Sequence, residues 1–192
     1  MFIQTESTPN PATLKFLPGQ SVMESGTADF PAPVGEDTSP LAARIFGVAG
    51  VNGVFLGNDF VTVTKSADVE WDHVKPAILG AIMEHFMSGG PLMTDGSDAG
   101  EDSDGAGEFF SEDDAETVEI IKDLIETRVR PAVANDGGDI TFRGFRDGIV
   151  YLNMRGACSG CPSSTATLKH GIQNLLKHFV PEVVDVEAMA AD

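Results

Sequence analysis

Residues 91–119 hold eleven acidic residues and no lysine or arginine, and their middle, 94–107, is made only of Asp, Glu, Gly, Ser, Ala and Thr. Such a stretch repels itself and offers too little apolar surface to offset the entropy of ordering it. A chain interrupted in this way cannot build one continuous core. Two small domains, 1–90 and 115–192, are therefore expected on either side of an acidic flexible linker over 91–114. The 192 residues, 42% of them hydrophobic, suffice for two modest cores. Dense Asp and Gly also suit a calcium loop, but 98–105 lacks the alternating acids and closing Glu of an EF-hand.

The formal net charge is -18 and the sequence pI about 4.3, so a nucleic-acid backbone would be repelled over most of the surface. DNA and RNA are excluded as partners. Most of the excess sits in the acidic segment, because residues 120–192 carry nine acids against eight lysines and arginines. No run approaches the roughly 20 apolar residues of a membrane helix, and no membrane partner is expected. The start, Met1-Phe2-Ile3-Gln4-Thr5-Glu6, has neither a basic n-region nor an Arg-rich amphipathic pattern. The expectation is a bacterial cytoplasmic protein, or a mitochondrial matrix protein whose presequence has been removed.

Both flanks of the acidic segment read as α+β. In the first, residues 2–6 and 13–17 form short strands around Pro9-Asn10-Pro11, and Ser39-Pro40 opens a helix with Ser39 as cap. Residues 51–56 and 60–64 make a hairpin about Gly57-Asn58-Asp59. A second helix over 70–87 carries an apolar stripe of Val74, Ile78, Ile82 and Phe86. This domain has no cysteine and no catalytic constellation. In the second, a helix marked by Val118, Ile121, Leu124, Ile125 and Val129 fades near Pro131, and Asn135-Asp136-Gly137-Gly138 turns out of it. A hairpin follows about Arg146-Asp147-Gly148, then a helix bearing Leu168, Ile172, Leu175, Leu176 and Phe179, then a strand over 183–186. The order is αββαβ.

The two cysteines of the chain, Cys158 and Cys161, stand at C-x-x-C spacing where a loop enters that helix. Two thiolates grip one metal or one cluster edge, whereas a tetrahedral site or a cubane cluster takes four ligands. One chain supplies half of such a site, and a two-fold dimer would complete it. With Cys161 at the cap and Pro162 at the first helical position, the free N–H groups of the first turn are expected to favour thiolate at both sulfurs. Gly156 and Gly160 are expected to let the backbone approach a bulky inorganic core. Spacing alone leaves four readings open: a redox pair, shared cluster ligation, half a zinc site, and a structural disulfide or inert pair. The redox reading fits less well where a hairpin precedes the motif and little chain follows it.

At these residues the chain resembles the Nfu family. The C-terminal features are Asp136-Gly137-Gly138-Asp139, Asp147-Gly148-Ile149, the run Gly156-Ala157-Cys158-Ser159-Gly160-Cys161-Pro162-Ser163-Ser164, Thr167-Leu168-Lys169-His170-Gly171-Ile172, and Pro181-Glu182-Val183. Its N-terminal half is similar to the Nfu N-terminal domain through residues 5–11, Leu14-Lys15-Phe16, Ser39-Pro40-Leu41-Ala42, Gly50-Val51, Val54-Phe55 and Trp71. The resemblance implies a non-enzymatic iron-sulfur cluster scaffold or carrier. It implies a 4Fe-4S cluster bridged by Cys158 and Cys161 of each of two subunits, a homodimer formed through that cluster, supply by upstream assembly proteins, and delivery to apo iron-sulfur proteins. The alternative of a different class is a thiol-disulfide oxidoreductase using the same pair. His73, His85, His170 and His178 are expected on helix surfaces, Met83, Met87 and Met93 in apolar gaps or near the linker, and Asp136 and Asp139 in a turn without chemistry.

Overall fold

The computed structural model describes residues 1–94, 107–159 and 161–189. The centre of the acidic segment and Gly160 lie outside the described residues, and so does what was expected of them. The chain divides into two compact units, Met1–Asp102 and Ser103–Asp192, each with helices and a sheet.

The first unit follows its apolar alternation. Strands β1 (Gln4–Ser7), β2 (Thr13–Leu17), β3 (Ala28–Phe30), β4 (Val51–Leu56) and β5 (Val61–Lys65) form an antiparallel sheet in the order β1-β2-β5-β4-β3. Helix α1 (Pro40–Phe46) starts where Ser39 Oγ accepts from the Ala42 N–H at 3.2 Å. It packs with α2 (Trp71–Ser88) on a core that includes Phe16, Leu41, Ile45, Leu56, Ile78 and Ile82. The three-residue β3 was not expected. The buried stripe of α2 is Val74, Ile78, Ile82 and His85, so a histidine takes the fourth place and Phe86 is only partly buried. Met87, expected to pack or lie near the linker, is exposed. Thr94 N–H donates to Thr38 O at 3.1 Å and Ser39 Oγ to Leu92 O at 2.7 Å. The acidic segment therefore begins attached to this unit.

The second unit has the order αββαβ. A 3₁₀ turn, Glu112–Asp114, leads into α3 (Ala115–Leu124), a π turn over Ile125–Val129, and α4 (Arg130–Asn135). The helix does not fade at Pro131 but continues to Asn135. Proline has no N–H to give, and the widened turn before it absorbs the misfit. Strands β6 (Gly138–Arg146) and β7 (Ile149–Gly156) pair antiparallel about Asp147 and Gly148, both at positive φ, as a two-residue hairpin requires. Helix α5 (Pro162–Phe179) then crosses to β8 (Asp185–Met189), which lies parallel to β7. The C-x-x-C pair therefore stands inside a βαβ unit, a setting that redox pairs also use.

The expected linker boundary at 114 also moves. Phe109 bridges to Gly144 at the edge of β6, donating to Arg143 O at 3.2 Å and accepting from Phe145 N–H at 2.9 Å. Its ring lies 5.1 Å from that of Tyr151, and Lys122 pairs with Glu108 at 2.8 Å. Residues 108–114 thus belong to the second unit, held by a strand edge that composition does not reveal.

His85 generates a prediction. It is 1% exposed, and neither ring nitrogen has a hydrogen-bond partner among the described residues. Burial, aided by Arg44, lowers its pKa below the ordinary 6.5. The unfolded chain therefore binds a proton that the folded chain rejects, and stability falls as pH drops below about 6.5, the unfolded value. Trp71, the one tryptophan, donates from Nε1 to Pro11 O at 3.1 Å and reports this unit. In urea unfolding followed by Trp71 fluorescence, wild type should lose more stability than His85→Leu between about pH 7.5 and 5.5. Equal losses would exclude His85 as the cause.

Candidate functional site

Strand β7 ends at Gly156, which has φ 65° and turns the chain toward α5. Ser159 closes the turn, with its N–H and Oγ both donating to Gly156 O at 3.1 and 2.9 Å. Gly156 is paired with Gly138, the first residue of β6. A Cβ on Gly138 would lie 2.7 Å from Cys158 Sγ and 2.6 Å from Arg155 O, so only glycine lets the sulfur occupy that space. The Ala157 N–H donates to Gly137 O at 3.2 Å, tying the loop to the same corner. Gly156 and Gly138 thus serve the approach of two chain segments to each other. Gly137-Gly138, read from sequence as a turn, proves to be part of the wall around a thiol.

The two cysteines occupy unlike settings. Cys158 is 5% exposed and belongs to the core of the second unit, whereas Cys161 is half-buried at the start of α5. Thr165 Oγ1 donates to Cys158 O at 3.0 Å, while the Thr165 N–H and Ser164 Oγ donate to Cys161 O at 3.0 and 3.2 Å. Ser163 Oγ lies 3.4 Å from Cys161 Sγ. Hydrogen bonding from Ser163, then from the Ser164 backbone and side chain, lowers the Cys161 thiol from 9.0 to about 7. Burial, with Asp136 and Asp139 nearby, pushes Cys158 up to about 12. Favoured thiolate was expected at both sulfurs; the helix start provides it at one.

Asp139 is not a turn residue. It is buried and holds Arg130 in a two-pronged pair, Nε to Oδ1 and Nη2 to Oδ2 at 2.9 Å each, while also accepting from the Ile140 N–H at 2.8 Å. Arg130 reaches Glu126 as well, at 2.9 Å, and its pKa is raised chiefly by the Asp139 hydrogen bonds. This pair pins α4 to the start of β6 and sets the Arg130 charge against one of the two carboxylates near Cys158. Sequence gave no sign of it, since the partners come from a helix and a strand nine residues apart. Of the histidines, His170 and His178 lie on α5 and His73 and His85 on α2, in the other unit. Among the described residues no three His, Cys, Asp or Glu side chains gather as a metal site. The thiols have no third ligand of that kind there.

The family comparisons agree with this division. Residues 3–89 match the model described as scaffold protein Nfu/NifU N terminal, and residues 121–187 match the NifU-like domain. Among similar proteins, NifU-like protein 4, mitochondrial, of Arabidopsis thaliana is 58% identical over 97% of this chain, and NifU-like protein 5, mitochondrial, of the same plant is 57% identical over 97%. The Homo sapiens protein named NFU1 iron-sulfur cluster scaffold homolog, mitochondrial, is 50% identical over 100% of this chain. The chain spans 65%, 67% and 73% of the lengths of these three relatives. Their mitochondrial names overturn the expectation of a bacterial cytoplasm. The chain belongs to the Nfu/NifU-like family, whose two characteristic domains it carries in order.

Proposed function

We propose that this chain is an iron-sulfur cluster scaffold and carrier whose cargo is a 4Fe-4S cluster held between two copies by Cys158 and Cys161 of each. The observation that carries the reading is the half-site: two thiols at one loop-to-helix junction, without a third His, Cys, Asp or Glu gathered beside them among the described residues. A cubane has four iron corners, so cysteine-only ligation takes two chains. The relatives' scaffold names support the same reading, and their mitochondrial names support a mitochondrial setting.

The unlike thiols give the carrier an order of events. At neutral pH about half of Cys161 is already thiolate, while Cys158 must give up both a proton and its packing against Gly138 before its sulfur binds iron. Release runs the other way. An acceptor's thiolates displace the two sulfurs, and Cys158 regains its proton and its place in the core, which favours letting go. The chain is a carrier and not an enzyme in this account, with upstream assembly proteins as donors and apo iron-sulfur proteins as acceptors. We place cluster handling in 115–192 and partner contact in 1–90. The lowered Cys161 pKa also suits thiol-disulfide exchange, in which both thiols would be oxidised as a substrate disulfide is reduced.

Anaerobic reconstitution with iron and sulfide tests the reading. Wild type should show the absorption and Mössbauer signature of a 4Fe-4S cluster, whereas Cys158→Ser and Cys161→Ser should each retain little or none. Because Cys158 is a core residue, its serine variant should also lose up to about 2 kcal/mol of stability. Wild-type iron content in either variant would remove that cysteine from the ligand set. Fast reduction of a disulfide substrate by the metal-free chain, with no cluster bound by wild type, would favour the oxidoreductase.

The pKa difference is tested separately by alkylation of the apo chain. Cys161 should react with iodoacetamide at a rate that is half-maximal near pH 7, against 9.0 for an ordinary thiol, and Cys158 should react far more slowly. Peptide mass mapping distinguishes the two. Equal rates at both sulfurs would contradict the buried placement of Cys158.

A further inference from the structure

Beside Cys161 lies an open groove of about 530 Å³ between α5 and β8. Thr165 and Ala166 on the helix and Ala188 on the strand keep its sides low, Cys161 stands at its lip, and Lys169 and Glu187 add one charge of each sign. Neither Lys169 nor Glu187 makes an ion pair among the described residues. Strand β8 is the end strand of its sheet, paired only with β7 among the described residues. Its parallel register, from Ile149↔Asp185 to Asn153↔Met189, brings its C-terminal end to the same end of the sheet as the β7 to α5 junction. Glu187, Ala188 and Met189 are all exposed.

We infer that this groove is the face through which two copies of the chain meet, with Lys169 of each copy opposite Glu187 of the other. The inference rests on the shared-cluster reading and specifies its interface. A two-fold axis brings the same patch of both copies together, so a patch holding one free cation and one free anion is complementary to itself. Small side chains let the two surfaces approach, and exposed strand edges can pair across the axis. The groove includes Cys161, so a copy seated there brings its own Cys161 toward the same place, as a four-thiol site requires. An acceptor's extended segment is the competing occupant. It has no need of a surface whose charges match their own image.

The test uses the full chain, reconstituted anaerobically with iron and sulfide and examined by analytical ultracentrifugation at low salt. Wild type should sediment as a dimer. Lys169→Glu and Glu187→Lys should each weaken that dimer about tenfold or more, because like charges then oppose each other twice across the axis. The double reversal should recover most of the loss. Both residues are on the surface, and hydrogen exchange of wild type gives a second reading free of any variant: amides of 185–189 should gain protection on cluster loading alone.

If wild type is a dimer and both single variants match it, or the double reversal recovers nothing, this face is wrong while the shared cluster stands. A wild-type monomer carrying a complete cluster overturns the shared-cluster reading and the face with it. Protection of 185–189 that appears only when an apo acceptor is added assigns the groove to that partner and overturns the inference.

Discussion

The close approach of β6 to the loop after β7 governs everything at the cysteine pair. Gly138 faces Gly156 across the ladder, and the absence of a side chain at Gly138 leaves the room that Cys158 Sγ fills. The pair of buried Asp139 with half-buried Arg130 fixes the same corner by joining the first residues of β6 to α4. Removing one partner of such a pair costs more than the pair itself contributes, since the other charge is left without its counterpart. The corner is therefore held by sterics on one side and by charge on the other. A side chain at 138 would press directly on the sulfur, whereas a neutral residue at 139 would disturb the thiol without touching it.

That corner makes the two sulfurs chemically unequal. Cys161 sits where a helix start supplies hydrogen bonds and its thiol ionises near neutrality, while Cys158, three positions back in the loop, is buried beside carboxylates and keeps its proton. A scaffold with four equally strong thiolate ligands would hold a cluster well and release it badly. A site with one eager and one reluctant ligand per chain gives a bound state that is useful and still reversible. The N-terminal unit shares none of this machinery, having no cysteine.

Much of this was legible in the sequence, and the failures have physical causes. Alternation gave β4 and β5, Ser39-Pro40 gave the start of α1, and Asp147-Gly148 gave the hairpin, because each depends on residues adjacent in the chain. Strand β3 escaped because three residues are too few to show a period. Pro131 looked like an end because a π turn that accommodates it leaves no mark in composition. His85 was placed on a surface by its polarity, yet its position on α2 faces the core. Phe109 was assigned to a linker, yet its ring and backbone meet Gly144 and Tyr151 across a strand edge. The spacing of the cysteine pair was plain from the start, but the contrast between buried and exposed sulfur depends on Gly138, twenty residues upstream.

The central claim is that one cluster is shared by two chains, and native mass spectrometry of the anaerobically reconstituted protein measures it directly. The account predicts a species of two chains plus one 4Fe-4S core, which is about two iron and two sulfide per chain. A species of one chain carrying a complete 4Fe-4S core would contradict it, because two further ligands would have to come from groups other than the two cysteines this chain possesses.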